Sequence, residues 1–162
     1  MAMAELRECL GSVGFLEVRT YIQSGNVIVD TPMPIDGAEV KTSAAAAIGE
    51  AFGFEPSIHV MTSAEMEDVV SANPYLEAGD AAPTSVHYYF VHQAPSHHDL
   101  EGVAELATSG EEFAVGRNVV YLLAPNGVGR SKLAAALAKQ LGSAVTVRNH
   151  RSVIAIATLA ES

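Results

Sequence analysis

A single cysteine, Cys9, among 162 residues excludes an internal disulfide. It sits in an apolar helical pattern with no histidine beside it, which makes it a core thiol rather than a nucleophile. Long apolar runs are missing as well: none approaches the roughly 20 residues that a bilayer-crossing helix needs. The first ten residues lack the basic start and apolar stretch of an export signal. The expected setting is therefore cytoplasmic, without a membrane partner.

The most informative shortage is local. Residues 113–160 contain no aspartate or glutamate, yet hold six of the nine basic side chains: Arg117, Arg130, Lys132, Lys139, Arg148 and Arg151. Residues 1–112 carry 18 acidic and 3 basic side chains, so −15 stands against +6, and Glu161 brings the net charge to −10. Clustered charge sets a local potential whatever the net charge is. The tail is thus expected to attract anions on a molecule that is acidic as a whole. The same net charge argues against nucleic acid as a partner, because phosphate contacts need clustered lysine and arginine. With 49% apolar and 17% charged residues, the chain can bury a core as one domain or as two small halves.

Periodicity favours two halves. Met3, Leu6, Leu10 and Val13 recur at helical spacing and Gly14 stops the run. Residues 18–22 and 27–30 are rich in β-branched side chains around a Ser24-Gly25-Asn26 turn, which predicts a hairpin. Val40, Ala44, Ala47, Ile48, Ala51 and Phe52 form the apolar stripe of a second helix closed by Gly53, and residues 57–61 read as a strand. A capping box at Thr62 and Glu65 opens a helix expected to bridge the halves. Residues 75–84, with Gly79, Asp80 and Pro83, read as a linker.

The plan then repeats. Residues 85–92 alternate as a strand, and Asp99 is placed to cap a helix carrying Leu100, Val103, Leu106 and Ala107. Residues 111–115 and 119–124 flank the Gly116-Arg117-Asn118 turn. Residues 131–141 form a helix closed by Gly142, 144–148 a last strand, and 151–160 a closing helix. The expected class is α+β, with two ferredoxin-like split βαβ halves, residues 1–78 and 79–162. The first half lacks the strand that should precede its first helix. That strand is central in such a sheet, so its loss leaves backbone groups unpaired or paired differently. Two explanations stay open: a shortened N-terminus, or a three-stranded layer covered by helices or by a second subunit.

Four stretches carry a resemblance: Met3-Ala4-Glu5-Leu6-Arg7, Tyr21-Ile22-Gln23-Ser24-Gly25-Asn26-Val27, Pro125-Asn126-Gly127-Val128-Gly129-Arg130-Ser131-Lys132-Leu133 and Thr146-Val147-Arg148-Asn149. Together they resemble a bacterial family known only as domain of unknown function 1697. The resemblance implies an α+β protein with two ferredoxin-like halves and implies no activity. Members usually begin with a strand running into an Arg-Gly-Ile-Asn-Val-Gly-Gly segment ahead of the Met-Ala-Glu-Leu helix, and that segment is absent here.

The chief candidate for chemistry is the junction from Pro125 to Leu133, where a strand runs through glycines into a helix. Gly127 and Gly129 let backbone N–H groups turn toward an oxyanion, the helix start adds partial positive charge, and Arg130 and Lys132 add full charges. Asn126 and Ser131 complete the set, Ser131 as helix cap or hydroxyl donor. The spacing of a phosphate-binding P-loop is absent, so nucleotide binding does not follow. The second candidate is Arg148 and Asn149 with His150 and Arg151: an arginine for a bidentate grip, and an asparagine that reads a ligand or caps a helix. Arg148 paired with acids and Asn149 as a simple cap is the structural reading of the same residues.

Weaker signals resolve into structure. Ser24-Gly25-Asn26 has no acid–histidine partner nearby and reads as a turn. His97, His98 and Asp99 lack further ligands at metal spacing. His87 and Tyr89 share a strand face. Tyr88 and Phe90 sit where base-stacking aromatics would, without the basic sheet that RNA binding needs. No cofactor is expected. The leading expectation is a small-molecule anion-binding domain; the alternatives are a structural or protein-interaction module, including a homo-oligomer through the incomplete N-terminal sheet, and an enzyme of unidentified reaction.

Overall fold

The computed structural model describes residues 2–162. It is an α+β structure with two separate sheets of two and four strands. Contacts divide the chain into two compact units: residues 1–64 with 155–162, and residues 65–154.

The first unit begins with α1 (Met3–Ser12), followed by β1 (Leu16–Tyr21), β2 (Asn26–Asp30) and α2 (Gly37–Phe52). α1 buries Leu6 and Leu10, four residues apart, and Glu5 folds back to accept the Ala2 N–H at 3.3 Å. β1 and β2 form an antiparallel hairpin with an irregular register near Glu17, a non-glycine residue at φ +45°. Gly25 holds φ +74° in the turn, and Asn26 donates to Tyr21 O and Ser24 Oγ, so this segment is the expected turn. Asp36 caps α2 through the Ala38 N–H, and left-handed Gly53 ends it. Leu6, Leu10, Phe15, Ala44 and Ile48 form the core, with Val18, Val27, Val29 and Ile58 packed on its rim.

Residues 57–61 were expected to be a strand and are not one. In the split βαβ order this segment pairs with the first strand, and no strand precedes α1 among the described residues. Without that neighbour no ladder forms, although Ile58 still packs on the core.

The second unit shows the full pattern. α3 spans Ser63–Ser71, so all but its first two residues fall in this unit. α4 (Leu76–Ala81) occupies the stretch expected to be a linker. The four-stranded antiparallel sheet is built from β3 (Val86–Phe90), β4 (Glu112–Val115), β5 (Val119–Leu123) and β6 (Thr146–Asn149) in the order β4-β5-β3-β6. Counted within the unit this is 4-1-3-2 read from the other edge, the ferredoxin-like arrangement. α5 (Lys132–Leu141) and α6 (His150–Glu161) complete the chain.

The helix expected after Asp99 is a run of turns ending in a 3-10 helix at Ala104–Leu106. Gly102 stands in its middle at φ +81°, which an α-helix cannot accommodate, and Asp99 bonds back to Ser96 instead of capping. Leu100 and Val103 nonetheless reach the core with Tyr89, Val120, Leu122, Leu133 and Leu137. Among the described residues no helix is long and apolar enough to cross a membrane.

Candidate functional site

Strand alternation sorts the second unit's side chains onto two faces. Tyr89, Phe113, Val120, Leu122 and Val147 face α5. Tyr88, Phe90 and Tyr121 face the other way, where Tyr121 donates to Val69 O of α3 at 2.7 Å. Burial, and then the neighbouring Tyr88, push the Tyr121 hydroxyl up to about 12.

The junction between β5 and α5 is built mostly from bonds within the chain. The Gly127 N–H donates to Ala124 O at 2.9 Å and the Ser131 N–H to Val128 O at 3.2 Å, so two candidate amides are already used. Gly127 has φ +83° and its turn requires glycine, whereas Gly129 has an ordinary φ and open space around it. Buried Ser131 is the N-cap: its Oγ accepts the Ala134 N–H at 3.0 Å. The Ser131 hydroxyl, followed by the Thr108 N–H, holds the Glu111 carboxyl below its ordinary range. A carboxylate of the chain itself thus stands where an incoming anion was expected. Asn126, Arg130 and Lys132 are exposed.

Arg148 and Asn149 do not join this junction. Both strands end on the same side of β3, since Leu123 pairs with Val86 and Asn149 with His87. Two strand spacings, roughly 10 Å, separate them. The faces also differ: Arg148 pairs with Tyr88 and shares its face, away from α5. Arg148 is half-buried, donates to Val147 O at 2.8 Å, and is held below its ordinary pKa by burial. Asn149 Oδ1 accepts the Ser152 N–H at 3.0 Å and caps α6.

Behind Arg148 lies a polar chain, buried at Asn73, Tyr88 and His150 and ending on the exposed Asp80, that sequence patterns alone do not assemble. Asn73 Nδ2 donates to Tyr88 Oη at 2.9 Å, Tyr88 Oη meets His150 Nδ1 at 2.9 Å, and His150 Nε2 meets Asp80 Oδ1 at 3.0 Å. With the Asn73 amide donating to Tyr88 and a carboxylate oxygen of Asp80 accepting, one direction satisfies all four groups: the Tyr88 hydroxyl donates to Nδ1 and Nε2–H donates to Asp80. The His150 ring is 3% exposed and lies on Gly79, where a Cβ would come within 2.7 Å of it. This close approach explains why α4 carries glycine there. The only sequence signal was His150 in the 148–151 cluster; its partners lie 62 and 70 residues away.

His87, on the α5 face, has a buried Nδ1 with no hydrogen-bond partner among the described residues, and desolvation lowers its pKa. His98 is exposed and bonds Glu101 at 3.1 Å, and no cluster of three metal-ligating side chains occurs among the described residues.

A family model described as "Protein of unknown function (DUF1697)" matches residues 1–121. The chain belongs to this family. Its fold is shared with the conserved bacterial protein SP0830 from Streptococcus pneumoniae, at 17% identity and a TM-score of 0.73, covering 100% of this chain and 90% of that one. No curated protein matches. This DUF1697 member therefore has a placed fold, and its function must be argued from its own surfaces.

Proposed function

We propose that this family member is a protein-interaction module whose first unit completes its sheet against a second copy. The open side of β2 carries the proposal. In the second unit the equivalent strand, β5, has β3 beside it, while among the described residues β2 has β1 on one side and no strand on the other. Two-stranded sheets are marginal alone, and exposed edges invite pairing. Antiparallel pairing of two β2 strands about Ile28 sets Asn26 of one copy opposite Asp30 of the other, so no like charges meet. Exposed apolar side chains concentrate in the same unit: Val13, Leu16, Ile22, Met33, Ile35 and Phe54, against Leu106, Val115 and Val128 in the other.

The test is sedimentation velocity across a concentration series at low and high salt, with amide exchange read in parallel. The expected result is a dimer that persists in salt, with exchange at residues 27–30 slowing as it forms. A monomer throughout, or slowing confined to other segments, removes the proposal.

Exposed Arg130 and Lys132 beside the α5 start favour a second reading, binding of a small phosphate or carboxylate compound. In this reading the ligand must compete with Glu111. Selective thermal stabilisation by phosphate, sulfate or a nucleotide, lost in Arg130→Ala/Lys132→Ala, supports it; equal stabilisation of both proteins removes it.

A further inference from the structure

The second unit has an open edge of its own, and a groove runs along it. β4 is the terminal strand of the four-stranded sheet and pairs only with β5. The Gly116 N–H donates to Val119 O at 2.7 Å, which makes these two a hydrogen-bonded pair. Such pairs alternate along an antiparallel ladder. Ala114 and Glu112 therefore spend their backbone groups on β5, and the N–H and C=O groups of Phe113 and Val115 point to the open side. No backbone partner meets them among the described residues.

The groove along this edge has a volume of about 1130 Å³. It has apolar ground in Leu100, Phe113 and Val115, the last 43% exposed. Its walls include Glu101, Glu105, Glu111 and Glu112, and no lysine or arginine lines it. The only lining groups able to become cationic are His97 and His98, and His98 already bonds Glu101. A row of outward backbone groups asks for another backbone; four carboxylates ask for positive charge. Pairing of two β4 edges would set eight carboxylates around one interface, which disfavours a second copy here.

We propose that this groove receives an extended basic segment of another protein, which adds to β4 as a fifth strand. Main-chain hydrogen bonds to Phe113 and Val115 provide the pairing, apolar side chains of the segment rest on the exposed Val115, and its lysines or arginines meet Glu101, Glu105 and Glu112. The site lies wholly in the second unit and does not depend on how the first unit associates.

The experiment titrates the whole protein with a labelled eight-residue peptide of alternating lysine and valine, read by anisotropy and by amide shifts. Three controls accompany it: the same peptide N-methylated on alternate amides, one with glutamate for lysine, and the Glu105→Lys/Glu112→Lys variant. The expected result is saturable binding that shifts the Phe113 and Val115 amides and weakens by about tenfold with either altered peptide or with the variant. Val115→Pro, which removes an outward N–H and leaves the β5 ladder intact, should lose binding likewise. Equal binding of the N-methylated peptide means charge alone, and overturns strand addition. No binding of the basic peptide, equal binding of the acidic one, or shifts mapping elsewhere also overturns the proposal. So does a concentration-dependent shift of residues 113–115 without peptide, which would assign the edge to a second copy.

Discussion

In the second unit β5 has β3 beside it and β6 beyond, whereas in the first unit, among the described residues, β2 borders β1 alone and residues 57–61, in the position of β6, form no strand. The two segments are similar in kind: Ser57-Ile58-His59-Val60-Met61 and Thr146-Val147-Arg148-Asn149 each hold two β-branched side chains. What separates them is the neighbour. β6 has β3 to pair with, residue by residue from His87–Asn149 to Phe90–Thr146, and among the described residues no strand ladder includes the earlier segment. Strand identity here belongs to the sheet more than to the stretch.

The largest expected effect tests that contrast directly. Leu133→Ala empties a fully buried position in the second unit and should cost about 3 kcal/mol, while Ile58→Ala, at the rim of the first, should cost about 1 kcal/mol. Urea unfolding of both variants measures the difference; equal costs would mean that residues 57–61 are held as firmly as a laddered strand. Next comes the polar chain. Tyr88→Phe strands the Asn73 amide and His150 Nδ1 and should cost about 2 kcal/mol, and Gly79→Ala should cost a similar amount by driving a methyl into the His150 ring. Both losses should appear in the second unit's amide exchange and leave the first unit's unchanged. Ser131→Ala should cost about 1 kcal/mol through its lost cap, by the same urea measurement.

The pH dependence is smaller. Glu111 titrates below its ordinary 4.5 in the folded protein, so its contribution is complete above that value and fades as pH falls through the lowered one. Ser131→Ala should flatten this acid limb in thermal melts. Tyr121 has the opposite sign: with its pKa raised from 10.0 to about 12, its contribution is complete below pH 10.0 and fades as pH climbs to about 12. Tyrosinate absorbance read alongside the melt checks it, and Tyr121→Phe should shrink that limb and leave the part due to Tyr75, Tyr88 and Tyr89, whose hydroxyls burial also pushes up.

Most of the second unit was legible because its signals are local. Alternation at Val86, Tyr88 and Phe90, the Gly116-Arg117-Asn118 turn and the Leu133–Leu137–Leu141 stripe each specify an element from adjacent residues. The errors fall where the deciding fact is a partner or a single φ. Leu100 and Val103 have helical spacing and do reach the core, yet Gly102 turns the backbone left-handed between them. The linker reading of residues 75–84 rests on Gly79, Asp80 and Pro83, and a histidine 71 positions after Gly79 lies against that glycine and accounts for it. The candidate site follows the same rule. Ser131 and Asn149 were recognisable as caps; the separation of Arg148 from Arg130 and Lys132 onto opposite faces follows from the ladder, which no spacing in the sequence states.

The stacking of the His150 ring on Gly79 has a consequence for how such sequences can change. Position 79 stays free of a side chain only while an imidazole fills the space above it, and Asp80 faces that imidazole only while Tyr88 supplies the proton on its other side. Positions 79, 80, 88 and 150 should therefore drift as a group across relatives of this chain: where the histidine is replaced by a small residue, alanine or larger should enter at 79, and the aspartate and the tyrosine hydroxyl should be released together.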